Sequence, residues 1–190
     1  MRKVNYYTRT TGEGYDLHDA LRDVCNQLKP ESYLEIGVDG GGSLTTVLTF
    51  CSPKRITLAD IWNPAYCDHE LNGHEHIDKL LDNLAYEGVV HFLDGDSKIT
   101  ITSLHEYDLY DLILVDGDHT PKAAKIDLIN AWSHLKEGGI LVMDDIRHLS
   151  YPGLYGVFQN FKDNMGAIEI PQTKGEPSNS GVLYKPCVTE

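Results

Sequence analysis

The 190-residue sequence lacks the features typical of membrane proteins and of secreted, disulfide-linked scaffolds. No apolar stretch approaches the ~20 residues that a membrane-spanning helix needs, and the N-terminal residues contain no apolar core like that of a signal peptide. The four cysteines form no Cys-x-x-Cys pair; they are Cys25, Cys51, Cys67 and Cys187. A disulfide framework and a four-cysteine zinc site are therefore disfavoured, and we expect a cytoplasmic protein.

Basic residues are also scarce. The sequence has 16 Lys and Arg against 29 Asp and Glu, which gives a formal net charge of -13. This charge repels phosphate backbones and anionic lipid surfaces, and no basic run offsets it. We therefore expect neither nucleic acid nor a membrane as a partner. The apolar content of 41% is ordinary for a soluble globular protein.

The dinucleotide fingerprint Gly-x-Gly-x-x-Gly is missing as well. It requires a second glycine two places after the first, whereas Gly37 is followed by Val38 and Asp39. An NAD-dependent oxidoreductase is therefore the least favoured of the functions that we consider.

Strand-like apolar segments alternate with amphipathic helical segments along the whole chain. Helices are predicted to begin after Asp16, at a Ser43 cap, near Ile77, after Thr120 and near Val157. The predicted strands cover 33–36, 55–59, 89–93, 110–115, 140–143, 167–171 and 181–185.

This alternation predicts an α/β fold with a doubly wound, mostly parallel sheet of seven strands. No helix is predicted between the last two strands, so they should form an antiparallel hairpin at the C-terminus. We expect a single domain over 1–190, with a helical extension at 1–29, a cofactor-binding core at 30–150 and a terminal helix and hairpin at 151–190.

A glycine cluster follows the first predicted strand, and an acidic residue precedes it. Glu35 stands two positions before Gly37, and the cluster continues through Gly41 to Ser43. A carboxylate beside the loop favours a ligand with a positive centre, whereas a pyrophosphate prefers bare backbone N–H groups. S-adenosylmethionine fits this requirement, because it carries a sulfonium and an ammonium but no phosphate. A tight turn that binds no ligand is the alternative reading of the glycines.

Acidic residues recur at the C-terminal ends of the successive predicted strands. In an open parallel sheet, ligands bind in the crevice outside these ends. We expect Asp60 to accept both ribose hydroxyls, and Asp96 and Ser97 to meet the adenine edge. Each acid alone could be a helix cap or a turn residue, but their recurrence indicates a site. They are Asp60, Asp96, Asp116 and Asp144.

Four segments together resemble class I S-adenosylmethionine-dependent methyltransferases: 33–43, 95–97, 111–119 and 138–145. The branch that they look most like contains macrocin O-methyltransferase-like and cephalosporin hydroxylase-like proteins, and it is similar in plan to the catechol O-methyltransferases. The Asp-Gly-Asp-His sequence at 116–119, followed by Asp-Asp at 144–145, is the most specific part.

The resemblance implies methylation of an oxygen atom with help from a divalent metal, usually magnesium. By motif, Asp116, Asp144 and Asp145 would be the metal ligands, since carboxylate oxygens suit Mg²⁺. His119 would take the proton of the acceptor hydroxyl. Helix-capping roles for the Asp pair and a structural hydrogen bond for His119 are the alternatives.

The segment 62–76 is predicted to be a loop at the cofactor edge, in which Trp62 would stack on or near the adenine. A zinc site using Cys67 and the histidines 69, 74 and 76 is a weaker alternative, because the spacing matches no standard pattern. Arg147 and His148 are placed to face the acceptor or are surface residues. Tyr6, Tyr7 and Tyr15 would close over the site or form a homodimer contact.

The leading hypothesis is a metal-assisted O-methyltransferase for a small hydroxylated molecule, such as a sugar or a polyketide-like natural product. A cofactor-binding regulator or interaction module of the same fold, without methyl transfer, is the second hypothesis.

Overall fold

The computed structural model describes residues 16–63, 73–171 and 178–187. These residues form one seven-stranded sheet with helices on both faces, as the sequence predicts. The helices are α1 (Leu17–Leu28), α2 (Gly42–Phe50), α3 (His74–Asn83), α4 (Ser97–Thr100), α5 (Pro121–Ser133) and α6 (Leu154–Met165). The strands are β1 (Ser32–Ile36), β2 (Arg55–Asp60), β3 (Val89–Asp94), β4 (Tyr110–Val115), β5 (Leu135–Met143), β6 (Ile168–Glu169) and β7 (Gly181–Tyr184).

The strand order in the sheet is β3-β2-β1-β4-β5-β7-β6. The first five strands are parallel to their neighbours, and β7 runs antiparallel to both β5 and β6. The predicted C-terminal hairpin is therefore confirmed. From β1 the chain adds β2 and β3 toward one edge of the sheet, and it then adds β4 and β5 toward the other edge. This change of direction lies between β1 and β4, where the C-terminal ends of the two central strands open onto a crevice.

Alternate residues of the central strands face opposite layers of the core. Tyr33 packs with α1, α2 and α3, whereas its neighbour Leu34 packs with α5 and α6. In β4, Leu112 and Ile113 divide in the same way, and all four side chains are fully buried. Burying such a side chain contributes about 1.5–3 kcal/mol, so the sheet is held from both faces.

Several predicted boundaries differ from those of the structure. Ser43 is not the N-cap of α2, because that position is occupied by Gly41, which has a φ of 77°. The apolar spacing after Thr120 predicts a helix that runs through Leu135 to Gly138–Gly139, but α5 ends at Ser133, and β5 starts five residues before the predicted strand. The Gly138–Gly139 pair, which resembles a helix stop, instead lies within β5, where the pairing with β4 shifts register.

The α4 turn and the 3₁₀ turn at 101–103 were not predicted, because neither is long enough to show a period. His74 and His76 lie in the first turn of α3 and not in a loop. Cys67 and His69, which the zinc alternative requires, lie outside the described residues, as do Tyr6, Tyr7 and Tyr15. Among the described helices, none is both long and apolar enough to span a bilayer.

Candidate active site

A cleft of about 1810 Å³ lies at the C-terminal ends of the central strands. It brings together most of the residues that the sequence singles out: Gly37, Ser43, Asp60, Asp96, Ser97, Asp116, His119, Asp144 and Asp145. Glu35, Gly41 and Trp62 are described but lie outside its lining. Recurrence of acids at strand ends therefore predicted where the cleft would form.

Glu35 supports the glycine loop from below. It is fully buried, and its carboxylate accepts hydrogen bonds from the hydroxyls of Ser43 and Tyr33, the latter at 2.9 Å. Burial raises the pKa of Glu35 to about 8, and the charges of Asp116 and Asp60 add to this rise. The residue thus shapes the loop from beneath, through Ser43.

The N-terminus of α2 opens onto the cleft. Its N-cap, Gly41, has no side chain and makes no side-chain cap hydrogen bond. The next two residues, Gly42 and Ser43, line the cleft. Uncapped N–H groups at a helix N-terminus carry partial positive charge and suit an anionic group. This end of the cleft can therefore receive a ligand carboxylate.

Asp60 connects the end of β2 to the glycine loop. Its Oδ2 accepts from the backbone N–H groups of Val38 at 2.7 Å and Asp39 at 3.1 Å. Its Oδ1 accepts from the backbone N–H of Trp62 at 2.7 Å. The Trp62 indole turns to Asp94, to which its Nε1 donates at 2.9 Å. The structure therefore does not bring the Trp62 ring into the cleft.

Asp96 and Ser97 lie at the end of β3, where the sequence predicts the adenine. Asp96 caps α4 by accepting from the backbone N–H of Lys98 at 3.0 Å, and it also pairs with the Lys98 ammonium. Ser97 donates its hydroxyl to Asp127 Oδ1 at 2.7 Å. Neither Lys98 nor Asp127 was predicted. Asp127 could have been noticed, because it is an acid on the apolar face of α5.

Asp116, His119 and Asp145 converge within the cleft. One ligand atom from each lies within 4.8 Å of the others. His119 Nε2 is 3.3 Å from Asp116 and 3.2 Å from Asp145. Carboxylate and imidazole atoms at these separations could share one cation.

The electrostatics of this group show an excess of negative charge. Burial raises the pKa of Asp116 to about 6, and the charges of Asp144 and Asp145 contribute. Hydrogen bonds to Asp116 and Asp145 raise the pKa of His119 to about 9. The same contact with His119 lowers the pKa of Asp145. The carboxylates thus stabilise a positive charge between them.

Residues that follow α6 hold the Asp144–Asp145 pair. The hydroxyl of Ser180 donates to Asp144 Oδ1, and the Asn179 side-chain amide donates to Asp145 Oδ1 at 2.6 Å. Asp144 lines the cleft but does not belong to the Asp116–His119–Asp145 group. Asp145 has a φ of 56°, a left-handed conformation that a non-glycine residue keeps only when its surroundings impose it.

An aromatic ring covers His119. Tyr151 stacks on the imidazole with centroids 4.3 Å apart and planes 9° from parallel, and it lines the cleft with Ser150. Arg147 and His148, which the sequence suggests for acceptor recognition, are described but are not part of the lining. The residues just after them, at 150–152, line the cleft instead.

Known protein structures share this fold. A methyltransferase of Podospora anserina bound to S-adenosylhomocysteine superposes with a TM-score of 0.63 at 14% identity, over 90% of this chain and 78% of that chain. The TDP-rhamnose 3'-O-methyltransferase of calicheamicin biosynthesis gives 0.63 at 18%, over 88% and 77%. An O-methyltransferase of tomaymycin synthesis from Streptomyces achromogenes, in complex with S-adenosylmethionine, gives 0.62 at 18%, over 88% and 79%.

Sequence comparison gives the family. No curated protein matches the chain, but a family model described as a methyltransferase domain matches residues 34–146. This range contains the glycine loop, the strand-end acids and the Asp-Gly-Asp-His sequence, and it covers more than half of the chain. The chain therefore belongs to the methyltransferase domain family, as its resemblance to the class I S-adenosylmethionine-dependent methyltransferases predicts.

Proposed function

We propose that the protein transfers the methyl group of S-adenosylmethionine to a hydroxyl oxygen of a small molecule, with a divalent cation held beside the acceptor. The observation that carries this proposal is one cleft that contains both the glycine loop and the Asp116–His119–Asp145 group. The O-methyltransferases among the solved structures of the same fold agree with it.

The residues of the cleft suit the methyl donor. When bound, S-adenosylmethionine supplies an electrophilic methyl group on a sulfonium. Its carboxylate would meet the uncapped N-terminus of α2 at Gly42 and Ser43. Asp60 would accept from the ribose hydroxyls, since each carboxylate oxygen has two lone pairs. Ser97 would meet the adenine edge.

The second group of residues suits a divalent cation. Asp116 and Asp145 belong both to the ligand set predicted from the sequence and to the convergent group in the structure, so we assign them as ligands. The raised pKa of Asp116 fits this role, because buried carboxylates that repel one another gain from a shared cation. When bound, the cation would orient the acceptor hydroxyl and lower its pKa.

His119 is placed to move the proton of the acceptor. Its Nε2 lies within 3.3 Å of both carboxylates, and Tyr151 fixes the plane of the ring by stacking. Asp116 and Asp145 would no longer raise the pKa of His119 when they hold a cation, so the imidazole would be neutral and could remove a hydroxyl proton during transfer. The two bound reactants gain further from being held in line, an effect that reaches roughly 7–11 kcal/mol in the best intramolecular cases.

The dimensions of the cleft suit two ligands. Pockets for one small ligand are typically about 300–1,000 Å³, whereas this cleft holds about 1810 Å³. Both the glycine loop and the Asp116–His119–Asp145 group line it. We therefore propose a small hydroxylated acceptor that binds beside Tyr151 together with the donor.

Calorimetric titration tests the methyl donor. S-adenosylmethionine and S-adenosylhomocysteine should both give binding heat, and NAD should give none. Absence of heat with both sulfur nucleosides would overturn the proposal.

Chelation tests the metal and the acceptor atom. A panel of hydroxylated sugars and aromatics, each paired with its amino analogue, would be incubated with S-adenosylmethionine and Mg²⁺. Methylation of the hydroxyl member should stop in excess EDTA, while binding of S-adenosylhomocysteine persists. Full turnover in EDTA would remove the metal from the mechanism, and methylation of only the amino analogues would refute oxygen as the acceptor.

A further inference from the structure

We propose that Asp127 is a positioning residue that fixes the hydroxyl proton of Ser97 and thereby makes the cleft select a 6-amino purine over a 6-oxo purine. This inference rests on the proposed binding of the adenine of S-adenosylmethionine beside Ser97. It assigns the choice of base to a buried side chain that does not touch the ligand.

The first observation is the direction of one hydrogen bond. Ser97 lines the cleft, and its hydroxyl donates to Asp127 Oδ1 at 2.7 Å. A hydroxyl has one proton and two lone pairs. With the proton committed to Asp127, Ser97 presents only acceptor lone pairs to a ligand.

The second observation is the isolation of the Asp127 side chain, whose one hydrogen bond among the described residues is the one from Ser97. Its side chain is fully buried on α5, and its Oδ2 has no hydrogen-bond partner among the described residues. A buried polar atom without a partner is costly and is usually explained by function. The Oδ2 lies directly behind Gly117, since a Cβ on Gly117 would be 3.4 Å from it.

The third observation is that the other carboxylates at this end of the cleft are engaged elsewhere. Asp96 Oδ1 accepts from both the backbone N–H and the ammonium of Lys98. Asp118 lies 3.7 Å from the same ammonium. Lys98 therefore pairs with these two acids, whereas the hydrogen bond of Asp127 is to Ser97.

The chemical consequence follows from the edge of the purine. The 6-amino group of adenine donates hydrogen bonds and can meet the lone pairs of Ser97. The 6-oxo group of hypoxanthine accepts hydrogen bonds, so two acceptors would face each other there. A site built for one hydrogen-bond pattern disfavours the reversed one. The missing hydrogen bond should make the affinity for the 6-oxo purine about 10–100-fold lower than that for the 6-amino purine.

The test is the ratio of two dissociation constants measured by calorimetry. The probes are S-adenosylhomocysteine and S-inosylhomocysteine, which differ only at position 6 of the purine and at the neighbouring N1 proton. The wild-type protein should bind the adenosyl compound about 10–100-fold more tightly. Asp127→Ala frees the Ser97 hydroxyl to rotate and donate, so the ratio should fall at least about tenfold. Ser97→Ala removes the hydroxyl oxygen that accepts from the 6-amino group, so it should also bring the ratio of the two dissociation constants close to one.

Leu128→Ala is the matched control. Leu128 is the next residue on α5 and is fully buried in the core, so its truncation destabilises the same helix without touching Ser97. The ratio should remain that of the wild type. If Asp127→Ala does not fold, Asp127→Leu, which keeps the approximate shape of the side chain without its oxygens, takes its place and should lower the ratio in the same way.

Three results would overturn the inference. These are a ratio near one in the wild type with tight adenosyl binding, a wild-type ratio in folded Asp127→Ala, or a wild-type ratio in Ser97→Ala. Failure of the wild type to bind either compound would instead refute the proposed methyl donor, and the inference with it.

Discussion

The α-carbon of Gly37 packs against the backbone of Asp116 so closely that a Cβ on the glycine would lie 2.0 Å from the Asp116 carbonyl oxygen. Gly37 also has a φ of 86°, which disfavours any side chain. The loop proposed for the methyl donor and the strand end that bears the proposed metal ligand therefore form one packed unit. The two halves of the cleft cannot shift independently.

Replacing Gly37 with alanine should destabilise the protein severely. The substitution imposes both a steric overlap with backbone and a strained φ, and each costs about 1–3 kcal/mol. Urea unfolding should show a loss of at least about 2 kcal/mol. Binding of S-adenosylhomocysteine should be lost in the same variant.

The control is Gly156→Ala. Gly156 is exposed on α6, with no atom of the described residues within 4 Å of its added Cβ. Alanine there should stabilise the protein by about 0.5–1 kcal/mol. Equal stability of the two alanine variants would refute the close packing at Gly37.

The buried Glu35 should make stability depend on pH. Its pKa is raised to about 8 from an ordinary value of 4.5. Between these values the folded state keeps a proton that the unfolded state loses, so stability falls as pH rises through this window. Ionising the buried Glu35 side chain lowers the free energy of unfolding by about 3–5 kcal/mol, and this full loss is present only above pH 8.

Glu35→Gln isolates this effect. A glutamine keeps the shape and can still bond the hydroxyls of Ser43 and Tyr33, because each hydroxyl can reverse its role. Urea unfolding would be measured from pH 5 to pH 9. The free energy of unfolding of the variant should increase relative to that of the wild type as the pH rises. A constant difference across this range would show that Glu35 titrates normally.

Matched substitutions at Asp144 and Asp145 would define the metal ligands. Asp144→Asn and Asp145→Asn remove the same charge, and both amides can still accept from Ser180 and Asn179. Of the two residues, only Asp145 lies in the convergent group with His119. Asp145→Asn should therefore weaken Mn²⁺ binding more than Asp144→Asn does. Calorimetry would measure the affinity of each variant for Mn²⁺. A larger loss at Asp144 would restore the ligand set predicted from the sequence.

His119→Ala should reduce turnover by about 10²–10⁴-fold if the imidazole removes the acceptor proton. Binding of S-adenosylhomocysteine should change little, since the donor half of the cleft is untouched. His91→Ala, an exposed histidine on β3, serves as the control and should keep the wild-type rate. If His119→Ala keeps the wild-type rate, His119 does not remove the acceptor proton and its role is structural.

Strand-level features could be predicted from the sequence because they depend on local patterns. The apolar run at 110–115 is buried on both faces, and Asp16 and Thr120 cap α1 and α5 as predicted. Acids at the strand ends line the cleft because parallel strands bring their C-terminal ends to one edge.

The errors arise where contacts between distant residues decide the conformation. Ser43 has the chemistry of a cap, but its hydroxyl bonds to Glu35, eight residues earlier, and Gly41 caps the helix. The partnership of Ser97 with Asp127 spans 30 residues. Asp144 is oriented by Ser180, 36 residues later, which no local pattern could reveal. The strand-end acids that line the cleft could thus be predicted from the sequence, but the pairing of their side chains could not.

The contacts of Asn179 and Ser180 also fix the order in which the site can be assembled during translation. Asp144 and Asp145 leave the ribosome well before the two residues that hold them. A nascent chain can form the parallel strands and the glycine loop while this pair of acids is still unrestrained. Ordering of the carboxylates must wait for β7 to insert between β5 and β6. The cation affinity that we propose would therefore require a complete sheet, and a ribosome-bound chain stalled before Asn179 should lack it.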